Sequence, residues 1–393
     1  MDKKSILEGI RVLDASTVMA GPLMSNLLGD FGAEVIRIEQ PGTGDVMRHA
    51  EGSSWKVSNR NKKCITLDFH KPEAGEIFYG LVAESDIVIL NFRPQALGKW
   101  KIDYADLVKV KENIILMHFT AFGRTGPYSQ RPGFARVAEG FSGLMHITGF
   151  PDRKPVPSGY PIMDAFGGVY GAFSLMLALY HLKETGQGQL IDLSLYDPIL
   201  RTMEDYIVDF DQHKMAKERI GTHNPYVAPN DLYESLDKRW LILPASNENM
   251  YRRLLRALGL EELLTDPRFL SNSDRVRHRI ELDKYLIKFF AGHTFDELKK
   301  LLEEHDVAYG WVNSVQELVS DPHVQAREDL ISVFDPELQM KIKMQGIVPR
   351  MSKTPGEVKW VGPALGAHNQ EIYHNILGFS EDEVKVLMQK GVI

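Results

Sequence analysis

The spacing of apolar and polar positions changes repeatedly along this chain. Residues 10–14, 34–38, 65–69, 87–92 and 114–119 are short apolar runs rich in Val, Ile, Leu and Phe, which read as strands. Between them lie segments of helical period. The first is opened by Gly21-Pro22 and closed by Gly32, and others fall near 72–84 and 104–112. This alternation predicts an α/β fold with a parallel, doubly wound sheet. Residues 136–185 read as mostly helical, 189–194 as a further strand, and a helix follows to about Phe210.

The pattern changes near Gly221-Thr222-His223-Asn224-Pro225-Tyr226, which has the composition of a loop. Beyond it, residues 231–246 suggest a hairpin turning at Asp237-Lys238. Amphipathic helices are expected near 248–258, 275–291 and 295–305, giving a smaller α+β unit over 221–320. After residue 320 strands return. A segment with Pro355, Gly356, Gly362 and Pro363 precedes a last helix at 381–389. The resulting divisions are 1–220, 221–320 and 321–393, in keeping with 393 residues being too many for one small core.

Composition narrows the classes. A net charge of −7 supplies no basic footprint, which argues against nucleic acid as a partner. The single cysteine, Cys64, permits no intrachain disulfide framework and no Cys-rich zinc site, and fits a reducing cytoplasm. Met1 to Leu7 carry no signal-peptide run. No stretch is expected to supply the ~20 apolar residues of a membrane span; residues 172–180 come nearest and read as buried helix.

The turn Ser16-Thr17-Val18-Met19-Ala20-Gly21-Pro22 lacks Gly-x-Gly-x-x-Gly, so no nicotinamide cofactor is expected. His118, His146, His213 and His223 show no metal-ligand spacing, and Gly-x-Ser-x-Gly is absent. The glycines of 122–127 and 186–188 read as tight turns. Arg60, Lys62, Lys63, Arg93 and Lys99 are either a solvated edge or a site for a ligand bearing several phosphates. Asn91-Phe92-Arg93-Pro94 follows a strand, where open parallel sheets bind ligands.

Asp164 opens a long helix containing Gly167, Gly168, Gly171 and Ala172, small residues that let a backbone or ligand approach. The helix N-terminus would favour its ionised form, and a carboxylate held beside a pocket can be a nucleophile. Position alone favours a helix N-cap instead.

Taken in order, these pieces resemble the class III CoA-transferases, the family named after carnitine and bile-acid CoA-transferases. The resemblance runs from Leu7-Glu8-Gly9-Ile10-Arg11-Val12-Leu13-Asp14 and Ala20-Gly21-Pro22 through Gly32-Ala33-Glu34-Val35 and Gly42-Thr43-Gly44-Asp45. It continues in Asn59-Arg60-Asn61-Lys62-Lys63, Asn91-Phe92-Arg93-Pro94, Phe122-Gly123-Arg124-Thr125-Gly126-Pro127-Tyr128 and Thr185-Gly186-Gln187-Gly188-Gln189. Gly362-Pro363-Ala364-Leu365-Gly366-Ala367-His368 and Lys390-Gly391-Val392-Ile393 close it.

The resemblance implies a Rossmann-like large domain built from both chain ends, an inserted small domain, and a homodimer interlocked as linked rings. It implies coenzyme A, carried as acyl-CoA, with a carboxylic acid as co-substrate and no metal. Asp164 matches the family nucleophile, which passes through an acyl anhydride and an aspartyl-CoA thioester. Val18, Met19, Ala20, Gln40, Leu67, His70, Asn91, Phe92, Arg93, Lys99, Gly133 and Phe134 match its CoA-lining positions.

Three departures bear on the acyl group. Met19 replaces a Gln of the formyl-CoA enzymes, Gln40 replaces a frequent Arg, and their glycine-run loop has no counterpart at 221–232. Met19, Phe134, Phe166 and Tyr170 would make apolar walls, suited to acids of about four carbons or more rather than oxalate or formate. A racemase of α-methylacyl-CoA on the same fold is an alternative, but Phe134 and Ala135 stand where its Gly-His-Asp run would be and cannot move a proton. A non-catalytic subunit is the other alternative, and it would be expected to lack Asp164.

Overall fold

The structure is a computed structural model that describes residues 5–50, 54–245 and 247–393. The expectation drawn from Met1–Lys4 lies outside the described residues, as does Ser246 at the end of the expected hairpin. Two compact units are present. One comprises Met1–Leu144, Pro157–Met215 and Gln325–Ile393, the other Met145–Val156 and Ala216–Val324.

The first unit is organised on a six-stranded sheet: β1 (Arg11–Asp14), β2 (Glu34–Glu39), β3 (Lys62–Thr66), β4 (Ile87–Leu90), β5 (Ile115–Thr120) and β6 (Leu190–Ser194). Its order is β3-β2-β1-β4-β5-β6 and every pairing is parallel. Strand order reverses between β1 and β4, so the loops after these two strands diverge and leave a crevice. Both faces are covered, which explains the nearly continuous apolar runs. Leu13, Ile36, Ile65, Val88 and Leu116 point into one core layer, and Val12, Val35, Ile87, Ile115 and Met117 into the other.

The C-terminal residues belong to the first layer. Ile372, Tyr373, Val384, Val392 and Ile393 are buried there against the helix Ala74–Ala83. Asn369 accepts from the Thr66 N–H at 2.9 Å, Tyr373 donates to the Thr66 carbonyl at 2.5 Å, and Asp68 N–H donates to the Val392 carbonyl at 2.8 Å. The other layer packs the helix Ala20–Asp30 against the long helix Ile162–Thr185. A Cβ on Gly168 would come within 2.7 Å of Leu23, and one on Gly171 within 2.5 Å of Met24. Glycine at those positions lets the two helices approach.

The second unit has a three-stranded antiparallel sheet of β7 (Asn230–Glu234), β8 (Trp240–Pro244) and β9 (Gly310–Trp311). Helices Glu248–Leu258, Arg279–Ala291 and Phe295–Glu304 cover it around Tyr233, Leu241, Leu255 and Phe290. Asn247 caps the first of these helices through the Met250 N–H, and Thr294 with Glu297 forms a capping box on the last. A separate antiparallel pair, β10 (Leu330–Asp335) and β11 (Met340–Gln345), lies in the first unit.

Two expectations need correction. The third strand is Lys62–Thr66 rather than 65–69, because a lysine is buried in it. The Lys62 ammonium donates to Asp14 at 3.1 Å, the Pro22 carbonyl at 2.7 Å and Asn59 at 3.1 Å. The long helix is 24 residues and, by length and composition alone, apolar enough to cross a membrane, contrary to the expectation that no stretch is. One side of it packs against the core of the first unit, while most of its apolar window is not buried within this chain.

Asp14 is fully buried between Arg37 at 2.9 Å and Lys62. Burial alone would raise its carboxyl, but the two cations and the Ser16 and Ser25 hydroxyls outweigh that and hold it well below the usual range. Asp14→Ala would leave both cations buried with one anion fewer, a loss expected at about 3–5 kcal/mol. Urea unfolding of the variant measures it, and a loss below about 1 kcal/mol would show the network to be dispensable.

Candidate active site

The buried network fixes the loop that leaves β1. Asp14 accepts from Ser16 N–H at 3.0 Å and from its hydroxyl at 2.5 Å. Arg37 binds Asp14, the Ser16 carbonyl, and Asp45 at 2.6 Å. Asp45 in turn accepts from the Val18 N–H at 3.0 Å. Val18 is held at φ +70°, a left-handed conformation costly for a β-branched residue. Across the crevice, Asn91 accepts from the Thr17 N–H and donates to the Thr17 carbonyl, each at 2.9 Å. The loops after β1 and β4 are thus joined at the strand-order reversal.

Behind the β4 loop, buried His118 meets the Phe92 carbonyl at 2.7 Å and Arg124 at 3.0 Å, and Arg124 grips Asp103 with two contacts of 2.8 Å. Burial, with help from Arg124, lowers the His118 pKa, which suits a neutral ring that donates to Phe92 and accepts from Arg124.

Asp164 faces the crevice from the third position of the long helix. It is not the N-cap, which is Pro161, and among the described residues its carboxylate has no hydrogen-bond partner. Burial pushes its carboxyl up to about 6, the opposite direction from the helix-end effect expected from its position.

A cavity of about 540 Å³ gathers Val18, Ala20, Asn91, Phe92, Arg93, Gly133, Phe134 and Asp164. Gln40, Leu67 and His70 line a smaller recess of about 120 Å³ that shares Thr17 and Phe92 with the first. Lys99 lines a groove of about 520 Å³ that shares His70, Phe69 and Trp100 with the recess. The three make a track along the carboxyl ends of the strands. Met19 lines none of them.

Several readings change. Phe166 and Tyr170 pack onto the core layer, so of the four expected apolar walls Phe134 alone borders the cavity. Lys62, Arg60 and Lys63 are consumed by Asp14, Asp30 and the Glu34/Glu371 pair, leaving Arg93 and Lys99 exposed on the track. Thr17, Ser129, Arg131, Arg136 and Glu139 also line the cavity and were not anticipated. Thr17 follows β1 and the other four follow β5, around the Pro132-Gly133 break, and those positions at strand carboxyl ends are the signal that could have found them. In the second unit, folding brings His223 to 2.7 Å from Asp231 and near Asp283, itself 2.7 Å from the Tyr233 hydroxyl. Sequence spacing gave no hint of that trio, which ties the 221–231 loop to its own unit through protein contacts.

An open parallel sheet with a desolvated carboxylate at its switch-point crevice is the framework of a ligand-binding α/β enzyme. The model of CoA-transferase family III matches residues 7–369. The succinyl-CoA–D-citramalate CoA-transferase of Chloroflexus aurantiacus is 40% identical over 98% of both chains. The succinyl-CoA:glutarate CoA-transferase of Mus musculus is 31% identical over 100% of this chain and 91% of its own. A crystal structure of a CAIB/BAIF family protein from Brucella suis superposes with a TM-score of 0.85 at 31% identity, covering 95% of this chain and 100% of that one. The chain belongs to CoA-transferase family III, and its activity is transfer of CoA from an acyl-CoA to a carboxylic acid.

The raised Asp164 pKa has a stability signature. Its folded value, about 6, lies above the ordinary 3.8. The folded state therefore holds the proton more tightly, and the group costs stability that is absent below about pH 4 and complete above about pH 6. The full cost is on the order of 1–3 kcal/mol after allowing for the partial exposure of the group. Asp164→Asn should gain stability over the parent as pH rises from 4 to 7 and then level off, as chemical denaturation across that range would read. A gain independent of pH would contradict the burial argument.

Proposed function

We propose that Asp164 is the nucleophile and that the acids exchanged are dicarboxylic. The observation that carries this is the unpartnered Asp164 carboxylate, half-buried at the edge of a cavity continuous with the track. Its oxygen attacks the donor thioester carbonyl and the C–S bond breaks, giving a mixed anhydride and CoA thiolate. The thiolate attacks the aspartyl carbonyl and releases the donor acid, leaving an aspartyl-CoA thioester. The acceptor carboxylate attacks that thioester, forming a second anhydride and freeing the thiolate. Attack of the thiolate on the acceptor acyl carbonyl yields the new acyl-CoA and regenerates Asp164. Thioester is exchanged for thioester, so no external energy source is needed.

In this reading the nucleotide end of CoA lies by Gln40, Leu67, His70 and Lys99, and the pantetheine arm passes Asn91, Phe92 and Arg93 toward Val18, Gly133 and Phe134. Met19, at the start of the Ala20–Asp30 helix, contributes through the position of that loop. The dicarboxylic class rests on the names of relatives at 30–40% identity, which specify succinyl-CoA with citramalate, malate or glutarate. Two of those names specify α and β subunits, which favours a second reading in which this chain works with a different partner chain.

Asp164→Ala and Asp164→Asn should abolish transfer, with losses on the order of 10⁴ or more. Hydroxylamine added during turnover should label Asp164, as peptide mass spectrometry would show. Activity of Asp164→Ala within about tenfold of the parent overturns the assignment.

The long helix leaves Val169, Phe173, Met176, Leu177 and Tyr180 exposed along its other side. An apolar stripe of this size on one chain is expected to be covered. We propose that a second copy covers it in an interlocked homodimer. The purified chain should be active alone and sediment as a dimer at nanomolar concentration. A folded monomer, or activity only with a second kind of chain, would replace this with the two-subunit reading.

A further inference from the structure

Three arginines line the Asp164 cavity, and they are not equivalent. Arg136 donates to the Ser158 carbonyl at 3.3 Å and lies 3.9 Å from Glu139. Glu139 is buried and accepts from the Ser158 N–H at 2.6 Å. Together they clamp the segment that leads into Pro161 and the long helix. Arg93 opens the helix after β4, on the track assigned to CoA. Arg131 has neither duty. Its guanidinium lies 3.9 Å over the ring of Tyr128, and that ring is wedged edgewise against Phe122 and Phe141. Among the described residues it has no carboxylate partner.

The chemistry of this arrangement is specific. Stacking occupies the face of a guanidinium and leaves its in-plane N–H donors free. Those donors match a carboxylate in a bidentate contact. Stacking also fixes the side chain in advance, so little rotamer freedom remains to be lost on binding. We propose that Arg131 is the specificity-determining residue of this site, receiving the distal carboxylate of a dicarboxylic acyl group while Asp164 reacts at the other end. The inference rests on the transferase reading above and adds to it the residue that distinguishes dicarboxylic from monocarboxylic acids.

The test compares isotope-labelled succinate and glutarate with butyrate and pentanoate as acceptors at saturating succinyl-CoA, so that kcat/KM for the acceptor reports only the half-reaction in which the acceptor is bound. In Arg131→Gln, kcat/KM for the two dicarboxylates should fall about 10- to 100-fold, the range for losing a hydrogen bond to a charged group. Against butyrate and pentanoate the change should stay within about twofold, as for an uninvolved surface position. Arg131→Lys should recover part of the loss, because an ammonium keeps the charge without the fork. This variant carries the test if the Gln variant melts early. Equal losses for all four acids would place Arg131 on CoA or on the fold and overturn the proposal, as would no loss for any. A parent enzyme that uses butyrate as well as succinate removes the dicarboxylate reading and this inference with it. A parent that transfers to dicarboxylates but whose Arg131 variants keep that preference sinks the inference alone.

Discussion

The site depends on one buried anion, Asp14, at the carboxyl end of β1. Removing a carboxylate from water is costly, and the chain offsets that cost with partners drawn from four separate segments. Arg37 comes from β2, Lys62 from β3, Ser25 from the first helix and Ser16 from the loop itself. Each partner is thereby positioned by the same charge. Arg37 hands the constraint on to Asp45, and Asp45 holds Val18 in its left-handed turn. Two anions, Asp14 and Asp45, face two cations, Arg37 and Lys62, so the cluster is neutral as a whole. Burial pulls the Lys62 ammonium down to about 8, and Asp14 limits the fall. A neutral cluster in which Arg37 Nε is left unpartnered but the carboxylates and the Lys62 ammonium are multiply hydrogen-bonded can be dry and rigid, and rigidity is what the loop beside Asp164 requires.

Much of the sheet was legible because its strands are short apolar runs bounded by turn residues, and five of six lie within a few residues of expectation. The exception, β3, shows the limit of reading by period. Lys62 and Lys63 look like surface residues until Asp14, Glu34 and Glu371 are brought to them by folding. The same ignorance of distant partners turned a set of buried ion pairs into an apparent phosphate site. Asp164 was legible as a residue at a helix mouth. Whether it caps the helix or stays free depends on the path of Ser158 to Pro161, which the sequence does not encode locally. Phe166 and Tyr170 could not be assigned to wall or core because the long helix is apolar around most of its circumference.

That helix carries three demands at once. One side must be smooth enough for the Ala20–Asp30 helix, and Gly168 and Gly171 meet this by removing side chains where Leu23 and Met24 press in. Gly167 does the same for Phe119 of β5. The other side keeps Phe173, Leu177 and Tyr180 at the surface of the single chain. Its first turn must also present a carboxylate without pairing it. A capping interaction would neutralise the reactivity of that group, and Pro161 at the N-cap offers no side-chain acceptor and stands in place of such a cap.

The charge distribution inside the cavity also separates the transferase chemistry from proton abstraction at an acyl α-carbon. That alternative needs an acid and a base on opposite sides of the carbon. Besides Asp164, Glu139 is the one carboxylate lining the cavity among the described residues, and it is committed to the Ser158 N–H with Arg136 alongside. Phe134 and Ala135 border the space and offer no proton. A single free carboxylate can serve as a nucleophile, since covalent transfer uses the same group in both directions and needs no opposite partner. Desolvation, which raises the Asp164 pKa, would on the nucleophile proposal also strip water from the ionised form that attacks. A carboxylate so placed is costly to the fold and has no structural bond to show for it, which is the pattern expected where stability is given up for reactivity.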